Sequence, residues 1–518
     1  MKKYLFIALA ALGFAACTEK GEENGPVQNA ELEQSYMAIT LAADDITRAE
    51  DPKYEAGLEE ERAVKSAYVF FFKDGAAFPV SFDGATSTNA GPNNYLKVAL
   101  TGADKDLPNV SDVKDAVLVL QNYKGEYPNQ IVAVLNWTPT EPSYTLENLR
   151  TQISALQGFE DGFVMSNAVY ADKAGQTIDA VDLTIDNIAK TAEEALANPV
   201  TIHVERVAAK VVFTAANNGK FAVEKEVDGK TVYAQIKGFE LYNDYQESWL
   251  IKRIDPTWEV GFNWNDYNYF RSYWAQSLGK TFEENTFAWT TDNTAIGGHV
   301  YCGENTREWS EEKDVRTKVV VKAQLVDTEG NPFEVVNWYG KDYIGEENLL
   351  KVVANTLKNT YFSGNGTEFT GLTPADIKCV DRDVEDAKAY EVYFQLSEAG
   401  AAKTWYKYEG GNYTAISVDA LNTALAAVQP ALVYKDGMTY YWLDIKHLGI
   451  TGSTAEYGIV RNHVYKVNIT DITGYGTPVY DGTSDFITLE KPEDIVTYVS
   501  AQINILSWRV VENDYDLN

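Results

Sequence analysis

Cysteine is nearly absent: Cys17, Cys302 and Cys379 are the only three in 518 residues. Cys17 falls inside an N-terminal targeting segment, which leaves two, too few for a disulfide framework or a cysteine-rich metal site. Either Cys302 and Cys379 form one bridge or both are free buried thiols, and the second reading is preferred. Histidine is as scarce. His203, His299, His447 and His463 are scattered, with no HExxH and no His/carboxylate spacing suited to zinc. His203 lies within an apparent strand and His463 begins one, as structural histidines do. There is no GxSxG elbow, and LGKT at 278–281 lacks the preceding glycine of a phosphate-binding loop. DRDVED (381–386) lacks the glycine of a calcium-binding hand and reads as a solvated acidic loop. Carboxylates are so abundant that no pair stands out as an acid/base couple. No catalytic residue, metal or cofactor is assigned, and an enzyme is not expected.

Positive charge is also short. Forty-four Lys and Arg stand against 76 Asp and Glu, a net charge of -32. Such a surface repels nucleic acid and favours solubility. The one long apolar run is at the start. MKKYLFIALAALGFAAC places Lys2 and Lys3 before an apolar stretch and small residues, the pattern of a bacterial export signal. It is too short for a stable membrane anchor. Its end, Ala15-Ala16-Cys17, resembles a lipobox in which the cysteine is acylated, with Phe14 in place of the usual leucine. Ordinary signal-peptidase cleavage beside an incidental cysteine is the alternative.

What the chain has in quantity is β pattern. Residues 18–33 are polar and acidic, a tether. In SYMAITLAA (35–43), Met37, Ile39 and Leu41 alternate with Ala38 and Thr40, the period of a half-buried strand. An acidic stretch (44–62) follows. Further strands are expected at 66–72, 94–100, 115–122, 130–137, 201–216, 233–243, 318–327, 391–396, 440–446 and 463–472. They are rich in Val, Tyr, Phe and Thr and broken by Gly/Asn/Asp turns, as in antiparallel sandwiches. Helices are expected at 144–156 and at 418–429, the latter with Ser417 as N-cap. NNGKFAVEKEVDGK (217–230) breaks the apolar pattern and sets a domain boundary near 218. A Gly/Pro/Asp-rich segment (474–494) carries a terminal strand in INILSWRVVENDYDLN. There Ile503 and Ile505 share one face, while Leu506, Trp508 and Val510 share the other. The change of phase suggests a bulge or two short segments.

A strand so rich in apolar side chains at a chain end needs a partner. One reading has it complete the chain's own sheet. The other begins from the front: the strand of Met37, Ile39 and Leu41 blunts a sheet edge until its exposed, acidic flank is cut. The vacated trough then takes a strand from another copy, by strand addition. Such head-to-tail contacts do not close and give filaments.

SYMAITLAADDITRAED (35–51), QIVAVLNW (130–137), FVMSNAVY (163–170) and TIHVERVAAKVV (201–212) occur in the order of a fimbrillin N-terminal domain. YYWLDIK (440–446), YGIVRNHVYKVNITDI (457–472) and INILSWRVVENDYDL (503–517) resemble the other end of the same proteins. The chain thus resembles the bacterial fimbrillins over nearly its full length, and among them the major subunits of short, Mfa-type fimbria. The resemblance implies a mainly β fold: two transthyretin-like antiparallel β-sandwich domains with a few decorating helices. The organisation would be a lipoprotein signal (1–17), a propeptide with the first strand (18–48), an N-terminal domain (49–218), a C-terminal domain (219–474), and a linker with the donor strand (475–518). It implies export as an outer-membrane lipoprotein through the periplasm to a cell-surface fimbrium. An Arg-specific, trypsin-like protease would cut after Arg48, with Arg62 the competitor, and remove the first strand. The other partners implied are further copies of the chain, accessory anchor and tip subunits, and host or bacterial surface ligands, in a structural role in adhesion and biofilm. The alternative function is a surface lipoprotein that binds glycans through the aromatic run 249–274, with Trp258, Trp264, Tyr267, Tyr269 and Trp274 stacking on sugar rings.

Overall fold

The computed structural model describes residues 33–44, 57–80, 93–98, 100–102, 110–122, 126–156, 162–171, 177–254, 275–279, 289, 292–306, 315–381, 390–447, 456–483, 498–506 and 510–513. The protein is mainly β, with a few short helices. Cys17, Arg48, Trp508 and the aromatics from Trp258 to Trp274 lie outside the described residues.

The N-terminal half is one ten-stranded sheet. Its path runs Ala76–Ala77, Ala67–Lys73, Gln130–Leu135, Met165–Asn167, Val200–Arg206, Glu33–Asp44, Val110–Asn122, Thr101–Gly102. Strand alternation builds the core directly: Val69 and Phe71, Ile131 and Ala133, Ile202 and Val204, Met37 and Ile39, and Ala116 and Leu118 all meet in one buried cluster. The run AYVFFFK has no polar alternation because both its faces are covered. Phe70 and Phe72 point the other way, into a second cluster with Tyr144, Leu146, Leu149, Leu250 and Ile251. The helix expected at 144–156 is confined to Leu146–Arg150, capped by Thr145, whose side chain accepts from the Asn148 N–H. Its C-terminal part is claimed instead by a strand pair, Ile153–Ala155 with Glu247–Trp249.

Sheets change at Val207–Ala208, where the run expected as one strand (201–216) splits into Val200–Arg206 and Ala209–Ala215. Residues 217–230, read as a boundary, lead into a hairpin of Lys220–Val227 and Lys230–Tyr242. Asp228 and Gly229 both have positive φ (50° and 74°), as a type I′ turn requires. Two five-stranded sheets then face each other. One runs His299–Cys302, Ala209–Ala215, Val464–Thr473, Tyr498–Leu506, Val510–Asn513; the other joins Lys220–Val227, Lys230–Tyr242, Lys318–Val326, Met438–Asp444 and Thr477–Pro478. Their shared core holds Val211, Phe213, Phe239, Val321, Tyr441 and Val467.

Two strand pairs depart from the antiparallel expectation: Glu33–Asp44 with Val200–Arg206, and Ala209–Ala215 with Val464–Thr473, are parallel. In each case the partners are far apart in the chain, as parallel pairing demands.

Residues 335–434 form a lobe that the single C-terminal sandwich expected for 219–474 does not include. A five-stranded sheet (341–344, 335–338, 431–434, 391–396, 377–381) carries helices Glu346–Leu357 and Val418–Ala426, backed by a four-stranded sheet (369–371, 361–364, 405–409, 412–416). Trp338, Val353, Phe394, Trp405 and Leu421 fill its core. Val335, Leu432 and Tyr434 turn the other way and join the sandwich core. Ser417 caps its helix as expected, accepting from the Ala420 N–H at 3.1 Å.

Cys302 and Cys379 are free and buried in different clusters. Burial pushes both thiols well above their ordinary value. Among the described residues no group of His, Cys, Asp or Glu is arranged to hold a metal ion, and no helix is long and apolar enough to cross a membrane.

Candidate assembly sites at the two ends of the chain

The first strand, Glu33–Asp44, is an interior strand, not the edge strand expected from its pattern. On one side it pairs in parallel with Val200–Arg206, from Ile39↔Val200 to Ala43↔Val204. On the other it pairs antiparallel with Val110–Asn122 along its whole length, from Glu33↔Asn122 to Asp44↔Val110. Met37 and Ile39 are fully buried side by side. Leu41 holds a strand position between Ile202 and Lys114. Helix Ala192–Ala197 packs on the same strand. Along Ile39–Ala43 both flanks are therefore paired, and a gap there would leave two facing rows of donors and acceptors.

Past residue 56 lies a latch that no local sequence signal announces. Glu61, in the short helical turn Glu60–Arg62, is wholly buried. Its carboxylate accepts from Lys210 Nζ at 2.6 Å, from the Tyr301 hydroxyl at 2.6 Å and from the Leu58 N–H at 2.9 Å. Arg206 Nε donates to the Glu61 carbonyl at 2.7 Å. Burial alone would raise the carboxyl's pKa. The hydrogen bonds from Lys210 and Tyr301, with the lysine charge, outweigh it and hold the group below the ordinary value. Burial, then the hydrogen bond to this carboxylate, pushes the Tyr301 phenol far up.

The latch ties the start of the N-terminal sheet to two strands of the C-terminal sandwich. Lys210 and Tyr301 sit opposite each other in the pairing of Ala209–Ala215 with His299–Cys302. Arg62, the rival cleavage residue, is half-buried in the same turn.

A second buried network crosses the same seam. Arg461 pairs with Glu304 at 2.6 Å, both essentially solvent-free, and donates to the carbonyls of Trp249 and Leu250. Lys252 and Glu205 form another buried pair at 3.0 Å. With its charges paired and hydrogen-bonded, the seam couples the two halves as one body.

The tail differs from the first strand in nearly every respect. Tyr498–Leu506 lies antiparallel on Val464–Thr473, with Ile503 opposite Val467, Ile505 opposite Tyr465 and Leu506 opposite Val464. Val510–Asn513 folds back on it, Val510 opposite Leu506, and forms the sheet's outermost strand. Ile503, Ile505 and Leu506 share the one strand Tyr498–Leu506, so the change of phase read between 505 and 506, as a bulge or two short segments, does not divide it; Val510 belongs to the second strand. In this single chain both strands complete its own C-terminal sheet.

Residues 432–514, which include the tail and the strand beneath it, match the family model described as major fimbrial subunit protein type IV, fimbrillin, C-terminal. This stretch is thus similar to the C-terminal part of the fimbrillins. The chain's likeness to solved fimbrillin structures is long in coverage and low in identity. A fimbrilin of Porphyromonas gingivalis W83 is 11% identical, with 90% of this chain and 96% of that one covered and a TM-score of 0.36. The tip fimbrial protein Mfa3 of Porphyromonas gingivalis, solved with a C-terminal truncation, is 12% identical, with 90% and 99% covered and a TM-score of 0.29. No curated protein matches this chain by sequence.

Proposed function

We propose that this chain is a structural subunit of a surface fimbrium, polymerised by exchange of its tail into a slot opened in a neighbour. The observation that carries the reading is the interior position of the first strand. Its removal leaves a groove with hydrogen-bonding walls on both sides and an apolar floor. Met37 and Ile39 alone contribute about 1.5–3 kcal/mol each by burial, so the empty groove is unstable and invites a replacement. In this reading the chain is exported with lipid on Cys17, cut after Arg48, and released into a shaft at the cell surface.

The latch favours cleavage at Arg48 over Arg62, because the turn that holds Arg62 is pinned through Glu61 to Lys210 and Tyr301. A protease needs about the length of an extended strand to be free, which a clamped turn does not offer. The tail, held on one side only by its own sheet, can detach as a unit and enter the neighbour's groove, with Ile503, Ile505, Leu506, Trp508 and Val510 as its apolar side chains. Accessory anchor and tip subunits, the protease and surface ligands complete the set of partners.

The test is trypsin treatment of the full chain, followed by electrophoresis in SDS without boiling. A ladder of stable multimers is expected, with Ala49 as the new N-terminus, and none from a chain that lacks 499–518. A ladder that survives that deletion, or survives Arg48→Ala, overturns the reading.

A further inference from the structure

The four-stranded sheet of the lobe has one face turned to the core and one turned outward. Trp405 is buried on the inner face, with Tyr361 and Ile416 packed beside it. Register assigns the opposite face: Phe362 is paired with Tyr406, Tyr408 with Tyr413, and Phe369 with Gly364. Five aromatic rings thus lie on the solvent side of one sheet. Tyr408 and Tyr413 are 39% and 40% exposed. None of the five belongs to any buried cluster.

The rings are held as a layer. Phe369 and Tyr413 stack at 3.8 Å with their planes 3° apart, and Tyr406 and Phe362 meet them edge-on. The floor is kept low by small residues. A Cβ on Gly364 would lie 3.0 Å from the Phe369 ring, and Ala415 is the remaining neighbour of Tyr406. Among the described residues, the phenol hydroxyls of Tyr406, Tyr408 and Tyr413 have no hydrogen-bond partner. Next to this face, and sharing Phe362 and Gly371, opens a cavity of about 370 Å³ whose polar groups are Asn355, Lys358, Asn359 and Thr373.

An exposed aromatic layer of this kind marks a binding surface, and the page restricts its occupant. The net charge of -32 repels nucleic acid and anionic membranes. Among the described residues of the four strands, register places no charged side chain on the aromatic face, which suits a neutral ligand. Rings interspersed with free hydroxyls, beside amide and ammonium groups, match a molecule with apolar C–H faces and many hydroxyls. We propose that the outer face of the sheet 361–371/405–416 binds a neutral glycan, with sugar rings stacked on Tyr408 and Tyr413 and one residue reaching the Asn355–Asn359 cavity. The four strands span roughly 14 Å, enough for more than one sugar. The proposal uses none of the residues of 249–274 and neither of the terminal strands invoked for polymerisation.

The test uses the uncleaved full chain as monomer, in affinity electrophoresis through gels of soluble starch, mannan and galactan, and on an array of neutral and sialylated oligosaccharides. At least one neutral glycan is expected to retard the wild type. Tyr408→Ala and Tyr413→Ala should each weaken binding about tenfold or more. Tyr339→Ala, exposed elsewhere on the lobe, and Trp258→Ala should leave it unchanged, and melting curves should match for all variants. The proposal is overturned by wild-type protein that no neutral glycan retards, by binding confined to sialylated probes, or by retardation lost in Trp258→Ala but kept in Tyr408→Ala. Concentration-dependent dimerisation abolished by Tyr413→Ala would also overturn it, since the face would then belong to a second copy.

Discussion

The first strand and the tail are both β-strands at chain ends, rich in apolar residues, and they are held in opposite ways. Glu33–Asp44 is hydrogen-bonded on both sides and buries Met37 and Ile39 completely. Tyr498–Leu506 has the body of the sheet on one side only, and on the other just the four residues Val510–Asn513. The difference teaches how one chain can hold one terminal strand fast and the other along a single edge. A strand committed on both edges leaves only if it is cut free; a hairpin on a sheet edge leaves by breaking one ladder. On the proposed reading, this asymmetry would put the control of assembly at the front of the molecule and the exchanged strand at its back.

The largest expected effect tests that asymmetry directly. A chain that begins at residue 49 should lose cooperative unfolding of its N-terminal sheet or multimerise at once, a loss of more than about 5 kcal/mol, comparable to a whole domain's stability. A chain that ends at 497 should remain folded and monomeric, with only about 1–3 kcal/mol lost. Equal losses in calorimetry would erase the distinction between the two ends.

Next in size is Met37→Ala in the uncut chain, expected to cost about 2–5 kcal/mol by cavity formation. Urea denaturation followed by a probe in each half should place the loss in the N-terminal sheet.

Glu61→Gln sharpens the comparison at the latch. Loss of its charged bonds to Lys210 and Tyr301 should cost about 3 kcal/mol and speed trypsin cleavage after Arg62. The pH dependence has a definite sign. Because the folded carboxyl has a lowered pKa, its contribution is complete above the ordinary carboxylate range, near 4.3, and fades as pH falls through the folded value. Wild type and Glu61→Gln should therefore differ at neutral pH and converge in acid. A constant gap down to pH 2 would show that the carboxylate's charge plays no part.

The smallest effect belongs to neither end and sets the baseline. Ser417→Ala removes an N-cap in the lobe and should cost about 1 kcal/mol, without changing trypsin cleavage or the behaviour of the tail.

Much of the strand inventory was legible because alternation survives any context. The strand Glu391–Leu396 falls where the pattern puts it, and the helix at Val418–Ala426 begins behind Ser417 as its sequence demands. The helix expected to 156 failed because Ile153–Ala155 finds a strand partner ninety-odd residues later in Glu247–Trp249, and pairing overrides a weak helical period. The stretch 217–230, read as a boundary, holds the turn of a hairpin at 220–242, since an Asp-Gly turn carries the same residues as a linker. The lobe was missed because its strands alternate like those of any sandwich.

By itself the sequence determined that the chain is β, acidic, poor in metal ligands, and equipped with apolar strands at both ends. Periodicity and composition are local properties, and they need no partner to be read. Only the tertiary structure decided that the first strand is interior, that the tail closes its own sheet as a hairpin, and that Glu61 locks to Lys210, 149 positions away. Those facts depend on which strand lies beside which, and hydrogen-bonded neighbours in a sheet are chosen by the whole chain at once.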